Sequence, residues 1–474
     1  MGGRSRKRDF TGMERRPARR DTLSQLLYAP RSYMRSHYND WRIPEPAPVA
    51  AVTQRTPWSQ LHPPVPSQAL SDNALALKIL SEPLLPHSAR PSMPLLVSVT
   101  TLASMPLHLF LPALPLTATQ LLTSPGTIQL TITLYMVGLA VGQPLYGPLS
   151  DRYGRRPVLM AGLFLFVLSS VFAAFAATAG TLIVARVFQA LGACGGMVIG
   201  RAMVRDGTTP EKAAGAMATL GVALTIAPAI APAIGAYLTE WVGWRPIFGV
   251  LGGVGATLLV ITALTLPETH LQRTNQFGFM RMLRNYRKLI RMPQFLGYTL
   301  AGSISSVLFA YLAVLPFMIV DVLQRPLHEV GPCYLLIVVG NGIGSYASSR
   351  LVHRLGSHRI ARLGMHVELT SALLLLLVHI AGGLSVATFI GPAMLLSIGV
   401  GLVNPNCAAN SVSADPASIG AASGLYGSMQ LAFGALCTIV VGAWHGASVL
   451  PLAIVMVFSA LIGQSALTWA VRRR

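Results

Sequence analysis

From about residue 95 to its end, the chain is a succession of apolar stretches of about twenty residues, separated mostly by short polar loops. A helix of that length crosses the hydrocarbon core of a bilayer, so each stretch predicts a membrane-spanning helix. Only 11% of the residues are charged, compared with roughly 25% in soluble proteins, and the mean hydropathy is +0.56. The sequence therefore excludes a soluble globular protein. The alternating ten-residue segments of a membrane β-barrel are absent as well.

Twelve such stretches can be counted, and one long connection divides them into six and six. This connection, residues 267–294, holds six basic residues and a single acid, Glu268. We therefore predict an all-α polytopic membrane protein with twelve transmembrane helices in two six-helix bundles, residues 93–266 and 295–474, joined by a basic cytoplasmic linker. The predicted spans are 95–115, 128–149, 157–178, 181–203, 213–237, 245–266, 295–320, 331–352, 360–381, 386–408, 419–441 and 447–470.

The basic residues are distributed unevenly between the two ends of the predicted helices. Of the 22 Lys and Arg residues in 93–474, 19 lie in loops that follow an even-numbered span or at the C-terminus. Two lie in the opposite loops, and Arg186 lies inside a span. Lys and Arg collect on the cytoplasmic side of short loops. The sequence therefore predicts a multi-pass protein of the inner or plasma membrane with both termini in the cytoplasm.

Residues 1–92 form a separate basic extension. They are rich in Pro and Arg, and their apolar runs are well below membrane length, a composition that predicts disorder. No apolar core of a secretory signal follows the opening MGGRSRKR, and interspersed acids argue against a mitochondrial transit peptide. A natural start at Met93 is the alternative. The net charge of +20 does not predict nucleic-acid binding, because the basic residues do not gather on a soluble face.

No metal, cofactor or nucleotide site is predicted. The four cysteines lie in apolar stretches without a CxxC or Cys/His spacing, so we expect neither a disulfide nor a metal ion. The chain contains no GxxxxGK(S/T) phosphate-binding loop. We therefore expect no enzymatic activity and no cofactor.

The most charged short stretch is GPLSDRYGRRPVL, residues 147–159, between the second and third spans. Gly147 allows close helix packing, Gly154 can adopt a left-handed turn, and Asp151 can accept hydrogen bonds from an arginine. A weak echo, LVHRLGSHR, follows the second span of the other half at 351–359. It indicates an internal repeat, which is a common feature of transporters.

The pattern G-x-L-S-D-R-x-G-R-R-P resembles the signature loop of the major facilitator superfamily. The resemblance implies the two-bundle fold of that family, and a loop that latches the bundles in one state of the transport cycle. A loop that only anchors the topology is the alternative. The residues assigned to this conformational switch are Gly147, Asp151, Arg152, Gly154, Arg155 and Arg156.

An arginine interrupts the otherwise apolar fourth span. An ionisable group at membrane depth costs about 2.5–3.5 kcal/mol on insertion scales, so Arg186 is a candidate for function. Arg186, Gln189 and Gly192 resemble the family motif R-x-x-Q-x-x-G, which implies a role in proton coupling. The alternative is an arginine that snorkels to the outer surface, because Arg186 lies only about five residues from the start of the span.

The fifth span contains two prolines four residues apart. Pro228 and Pro232 remove backbone donors and predict a kink, and Gly235 continues a stripe of small residues that predicts close packing. The stretch resembles the antiporter motif G-P-x-x-G-G. Two of the glycines are alanines here, Ala231 and Ala236, so the motif indicates export less strongly than a full copy would.

Several stretches together resemble the Bcr/CflA-like (bicyclomycin and chloramphenicol resistance) drug:proton antiporters. They are RVFQALGACGG, APAIAP, WRPIF, LPET and AASGLYGSMQLAFGAL. That branch usually carries D-x-Y-L-P in the first helix, and here His108, Phe110 and Pro112 occupy these positions. An imidazole can load and release a proton, so His108 joins Arg186 as a candidate for proton coupling. A packing histidine is the alternative. Glu368, near the inner edge of the ninth span, is the only candidate for another acid in the core. It is expected to snorkel or to pair with Arg362, and a functional role is the alternative.

The sequence therefore predicts a secondary active multidrug efflux transporter, driven by the proton gradient. It would export small, mostly apolar or cationic organic compounds by alternating access, as a monomer in the bilayer. Polar and aromatic groups predicted to line the cavity are Phe110, Gln189, Asn341, Asn406 and Gln430. Hydrogen bonding between helices is the alternative for the amides. A metabolite importer or exchanger on the same fold, and a non-transporting membrane sensor or scaffold, are the alternative functions.

Overall fold

The computed structural model describes residues 91–206, 210–269, 279–415, 418–444 and 449–472. The chain divides into two compact units, residues 1–82 and 83–474, and the described residues all belong to the second. The predicted disorder of residues 1–92 concerns almost entirely residues that lie outside the described ranges. Within those ranges the regular elements are all helices.

Within the described ranges, the first half, up to the linker, contains eight α-helices. They are α1 (Met93–Thr101), α2 (Met105–Phe110), α3 (Leu114–Gln120), α4 (Pro125–Tyr153), α5 (Arg155–Ala174), α6 (Ala179–Asp206), α7 (Pro210–Val242) and α8 (Arg245–Thr265). The linker and the second half contain eight more. They are α9 (Phe279–Ile290), α10 (Pro293–Ile304), α11 (Leu308–Phe317), α12 (Val330–Leu355), α13 (Ser357–Ile380), α14 (Val386–Val412), α15 (Ile419–Gly442) and α16 (Leu450–Arg472).

Ten stretches of these helices are long and apolar enough to cross a membrane. One of them, Pro293–Val322, comprises α10, α11 and the short helical turns that follow each. The bent segment from α1 to α3, with an angle of 43° at its break, would make eleven. The helices confirm a multi-pass, all-helical membrane protein. The 33 residues of α7 enclose the predicted fifth span.

Left-handed glycines end two helices at equivalent places in the two halves. Gly154 has φ of 100° between α4 and α5, and Gly356 has φ of 81° between α12 and α13. Only glycine adopts this conformation without strain. The two positions align in the sequence echo, so the internal repeat is visible as the same turn in both halves.

The helices pack mainly within each half, and two main seams join the halves. In one seam α4 lies along α15, and in the other α7 lies against α12. Glycines allow close approach in the first seam, because a Cβ on Gly434 would lie 2.6 Å from Met136 Cε and 3.0 Å from Phe309 Cδ2. The middle of this seam is therefore tightly packed.

Candidate functional site

A buried arginine lies at the centre of the first half. The Arg186 side chain on α6 is fully buried, so the snorkelling alternative is wrong. Its Nη1 donates to Gln189 Oε1 at 2.6 Å, and its Nη2 donates to the carbonyl oxygen of Pro106 at 3.0 Å. Gln189 Nε2 donates in turn to Ser170 Oγ on α5 at 2.8 Å. One buried chain of hydrogen bonds therefore connects α2, α6 and α5.

Aromatic rings surround the same guanidinium. Its central carbon lies 4.2 Å from the ring centroid of Tyr135, 5.5 Å from that of Phe110 and 5.8 Å from that of Phe248. Within the described ranges Arg186 makes no ion pair, and its Nε has no hydrogen-bond partner. The positive charge of Arg186 is thus surrounded by neutral oxygens and ring faces. Burying a charge without an ion pair costs free energy.

The predicted proton-coupling histidine lies on the same segment. His108 on α2 is buried, and its Nδ1 lies 2.9 Å from the carbonyl oxygen of Ser104. Ser104 precedes Pro106, the carbonyl partner of Arg186, by only two residues. The structure therefore brings His108 and Arg186 to one turn of the chain.

The charged turn between α4 and α5 is built from contacts within the first half. Arg155 Nη1 lies 2.6 Å from Asp151 Oδ1, and Arg155 Nε lies 3.0 Å from Asp206 Oδ2 at the end of α6. Arg155 Nη1 also donates to Ser150 Oγ at 2.5 Å. One guanidinium thus bridges carboxylates on two helices and connects α4, α5 and α6.

Glu268 holds the backbone of this turn. The N–H of Arg155 donates to Glu268 Oε1 at 2.9 Å, and the N–H of Arg156 donates to Oε2 at 3.2 Å. These are the first N–H groups of α5, which have no acceptor within the helix and favour a negative charge. Arg156 Nη2 donates to the Ala263 carbonyl oxygen of α8 at 2.7 Å. The single acid of the predicted linker therefore caps α5.

The structure also places Gly147 and Arg152, two other residues of the signature loop. No neighbour lies within 4 Å of a Cβ built on Gly147, so the expected close packing at this glycine is wrong for this conformation. The Arg152 guanidinium lies 5.0 Å from the ring centroid of Tyr153.

The antiporter-like stretch of α7 packs its small residues against α2. Pro228 and Pro232 lie inside α7, and Ala231 is buried. A Cβ on Gly235 would overlap the carbonyl oxygen of Leu109. The backbones of α7 and α2 therefore meet directly beside His108.

Gly235→Ala is expected to destabilise the protein, because the methyl group has no room beside Leu109. Overpacking of this kind costs about 1–3 kcal/mol. Gly215→Ala on the same helix is the matched control, since a Cβ on Gly215 meets nothing within 4 Å and alanine favours helix there by up to about 1 kcal/mol. Thermal unfolding of the purified variants measures the difference. Equal unfolding temperatures would contradict the close approach.

A cavity of about 680 Å³ lies between the halves at the end that carries the α4–α5 turn. This inner cavity is lined from the first half by Gln143, Gly147, Asp151, Arg155, Val198 and Arg201, from the linker helix α9 by Met282, Asn285 and Tyr286, and from the second half by Val412, Ser423 and Gly424, among others. Its volume is that of a site for drug-sized molecules. Partial burial raises the pKa of the Tyr286 phenol on α9, so this wall offers a neutral hydroxyl.

None of the five residues predicted for the substrate cavity lines the inner cavity. Phe110 and Gln189 are buried around Arg186. Asn406 Nδ2 donates to Ser348 Oγ at 2.7 Å within the second half, and Asn341 accepts from Ser345 on its own helix. Gln430 is half-buried on α15. Their assignment to a substrate site stays a prediction.

A buried acid in the second half was not expected. Glu368 on α13 is 2% exposed and accepts a hydrogen bond from Ser305 Oγ at 2.7 Å. The predicted snorkelling and the predicted pair with Arg362 are both wrong, because the Arg362 guanidinium lies 2.7 Å from His358 Nε2 instead. A Cβ on Gly399 would lie 2.6 Å from Glu368 Cγ. Tight packing of α13 on α14 thus encloses a carboxyl that has no ion pair within the described ranges.

The sequence profile of the Major Facilitator Superfamily matches residues 96–438. The chain belongs to the major facilitator superfamily. Members of this family are transporters and not enzymes, and this chain is likewise a transporter and not an enzyme. The transporter YdgK of Bacillus subtilis, itself uncharacterised, is 31% identical to it over 80% of this chain and 95% of that protein.

Two further relatives carry resistance names. The chloramphenicol resistance protein of Pseudomonas aeruginosa is 34% identical over 63% of this chain and 71% of its own length. The bicyclomycin resistance protein homolog of Haemophilus influenzae is 26% identical over 69% of this chain and 83% of its own length. They confirm the resemblance to the Bcr/CflA-like branch. A crystal structure of a D-xylose–proton symporter, 14% identical, covers 78% of this chain and 96% of that one with a TM-score of 0.63, which supports the fold.

Proposed function

We propose that this protein is a secondary active multidrug efflux transporter, which exports small organic compounds in exchange for protons by alternating access. The observation that carries the proposal is the inner cavity between the two halves. Farther along the same two helices, Met136 packs beside Gly434 in the α4–α15 seam. We infer that a compound bound in the cavity reaches the other side only when the halves move. The relatives named for bicyclomycin and chloramphenicol resistance support drug-like compounds as the cargo.

The arrangement that fits this function is twelve spans in two bundles. The ten candidate spans, the bent α1–α3 segment and α7 make twelve, six on each side of α9. Packing within each half supports bundles at 93–266 and 295–474, with 267–294 as their linker. One chain supplies both walls of the inner cavity, so we propose a monomer. Both termini are proposed to be cytoplasmic, and no cofactor is needed besides the proton gradient.

The buried ionisable groups suggest how protons and drug compete. His108 and Arg186 bind carbonyl groups of the same turn, and like charges repel strongly away from water. The Arg186 guanidinium would disfavour a proton on His108, and it would also disfavour an organic cation in the first half. When both are present, the repulsion is larger. This favours exchange over co-transport. Glu368 is the corresponding candidate in the second half.

Cells that express the protein are expected to accumulate less chloramphenicol or ethidium than cells without it, and a proton uncoupler should remove the difference. This assay separates the alternatives. Higher accumulation of a metabolite would indicate an importer, and unchanged levels across a broad drug panel would indicate a sensor or scaffold.

The carriers of the proton can be tested with shape-conserving variants. Gln at 108 can still donate to the Ser104 carbonyl, and Gln at 368 can still accept from Ser305, but neither amide exchanges a proton at physiological pH. His108→Gln or Glu368→Gln should therefore reduce uncoupler-sensitive export about a hundredfold or more, the usual contribution of one acid–base group. His366→Gln is the control and should transport normally, because His366 is exposed on α13 and its Nδ1 lies 3.3 Å from Gln464 Nε2. Full uncoupler-sensitive export by both single variants would exclude these two side chains as carriers.

A further inference from the structure

A second cavity lies at the other end of the α4–α15 seam. This outer cavity, of about 520 Å³, is formed by the start of α4, the end of α11 with the π-helical turn Met318–Val322, and the end of α15. Its lining includes Gln129, Thr133, Phe317, Asp321, Thr438 and Trp444. The inner cavity uses the opposite ends of α4 and α15. The packed contact of Met136 with Gly434 lies between the two, so they are separate sites in this conformation.

One acidic side chain of the outer cavity has no basic partner. Asp321 is exposed on the π-helical turn and makes no ion pair within the described ranges. Arg325, four residues later, is bound elsewhere: its Nε and Nη2 donate to the two carboxylate oxygens of Glu329 at 2.9 and 2.8 Å. The carboxylate of Asp321 therefore leaves a negative charge at the mouth of the cavity. Single π-helical turns frequently occur at functional sites.

A buried acceptor lies deeper in the same cavity. Gln129 is 6% exposed, and its Oε1 has no hydrogen-bond partner within the described ranges. A Cβ on Gly442 would lie 2.6 Å from this oxygen, so the glycine leaves the space that the amide needs. A buried carbonyl without a donor costs about 1–3 kcal/mol. A ligand with a hydrogen-bond donor or a positive charge would remove that cost.

Most of the remaining wall of the outer cavity is apolar and aromatic. This part is formed by Leu130, Val314, Phe317, Met318, Ile439 and Trp444, and hydroxyl groups are added by Ser124, Thr127, Thr133 and Thr438. An apolar surface that carries one carboxylate and one free amide oxygen matches an organic cation with a hydrophobic body. An inorganic cation would leave most of this wall uncovered, and an organic anion would be repelled by Asp321.

We propose that the outer cavity is a binding site for lipophilic organic cations, distinct from the inner cavity, with Asp321 as the charge partner and Gln129 as the polar contact. The site concerns binding and does not depend on exchange with protons. In a transporter that moves compounds outward, the outer cavity would be the last binding site before release.

The test uses the full chain in nanodiscs, with a cysteine in the wall of the cavity as reporter. All four native cysteines are buried, so Val322→Cys, on the wall beside Asp321, is expected to be the main site of alkylation by N-ethylmaleimide. Tetraphenylphosphonium should slow this alkylation in a saturable way. Triphenylphosphine oxide, of similar shape but neutral, should need a much higher concentration for the same protection.

The charge dependence is measured in a second variant. Adding Asp321→Asn to Val322→Cys should weaken protection by tetraphenylphosphonium about fivefold, as expected for one partly exposed ion pair. Adding Glu240→Gln instead is the matched control, because Glu240 lies near the same end of the helices, pairs with His328 and does not line the cavity. It should leave protection unchanged.

A cysteine outside the cavity controls for indirect effects. Leu122→Cys lies at the same end and is 95% exposed, so its alkylation should not respond to the cation. If Val322→Cys is not alkylated, Thr127→Cys, at another lining residue of the same cavity, replaces it. Unchanged alkylation in the presence of tetraphenylphosphonium, or equal protection with Asp321→Asn, would overturn the proposal. Failure of drug export in cells would leave this binding result untouched.

Discussion

Arg186→Ala is expected to abolish drug transport and to lower the unfolding temperature of the purified protein. The change removes the donor of two buried hydrogen bonds, so Gln189 Oε1 and the Pro106 carbonyl oxygen lose their partner. Each buried group left without a hydrogen bond costs about 1–3 kcal/mol. The cavity left between Tyr135, Phe110 and Phe248 adds a packing cost. Thermal unfolding and drug uptake into inverted membrane vesicles measure the two effects.

Arg186→Lys separates the charge from the geometry of the guanidinium. Lysine retains the positive charge but cannot donate in the planar fork that reaches Gln189 and Pro106 together, and it stacks less well on aromatic faces. We therefore expect the variant to fold but to transport at least about tenfold more slowly, the loss that corresponds to one hydrogen bond to a charged group.

Arg245→Lys is the matched control for this substitution. Arg245 also lies over an aromatic ring, 4.3 Å from the centroid of Trp244, and also donates to a carbonyl oxygen, that of Ala176 at 3.2 Å. It is exposed at the start of α8, so lysine should be tolerated there. Equal transport by Arg186→Lys and Arg245→Lys would show that the buried fork is not required.

The spans could be predicted from the sequence because the signal for them is local. A run of about twenty apolar residues needs no knowledge of its neighbours to predict a membrane helix, and the described helices overlap every predicted span. The left-handed turns at Gly154 and Gly356 are likewise local, since the sequence echo aligns them. The break after α1 is less visible, because Pro106 lies inside an otherwise continuous apolar run.

The surroundings of single polar side chains could not be predicted, because they depend on helix faces and on neighbours distant in the chain. Glu368 lies near a helix end in sequence, yet Gly399 and Ser305 from two other segments enclose it. Gln189 is predicted for the substrate cavity, and the sequence does not reveal that its amide connects Arg186 to Ser170. The ends of α4 and α15 contribute to the walls of both cavities. Which side chains of these helices face a cavity depends on how α4 and α15 pack against each other.

Arg155→Ala is expected to reduce transport strongly while leaving the fold intact. The backbone of the α4–α5 turn is held independently, because Glu268 accepts the N–H groups of residues 155 and 156, and these bonds survive the loss of the side chain. What disappears is the bridge from Arg155 to Asp151 and Asp206. The two carboxylates then face each other without a cation between them.

The size of the effect follows from how deeply this bridge is buried. The Arg155 side chain is 10% exposed, while those of Asp151 and Asp206 are 46% and 24% exposed. Solvent screens the pair with Asp151 more than the pair with Asp206. A loss of about 1–3 kcal/mol is therefore expected, or about tenfold to hundredfold in transport if the bridge stabilises one state of the cycle.

Two further variants distinguish a conformational role from a structural one. Asp206→Asn removes only one of the two ion pairs and should reduce transport less than Arg155→Ala does. Glu268→Gln weakens the cap of α5 instead, and should lower the unfolding temperature more than Arg155→Ala does.

Because Asp151 and Arg155 line the inner cavity opposite Asn285, Tyr286 and Ser423, closing that cavity would bring this charged turn toward the second half. A large loss of transport with an unchanged unfolding temperature is therefore the result expected of a switch. If Arg155→Ala transports as well as the wild-type protein, the α4–α5 turn serves only to anchor the topology.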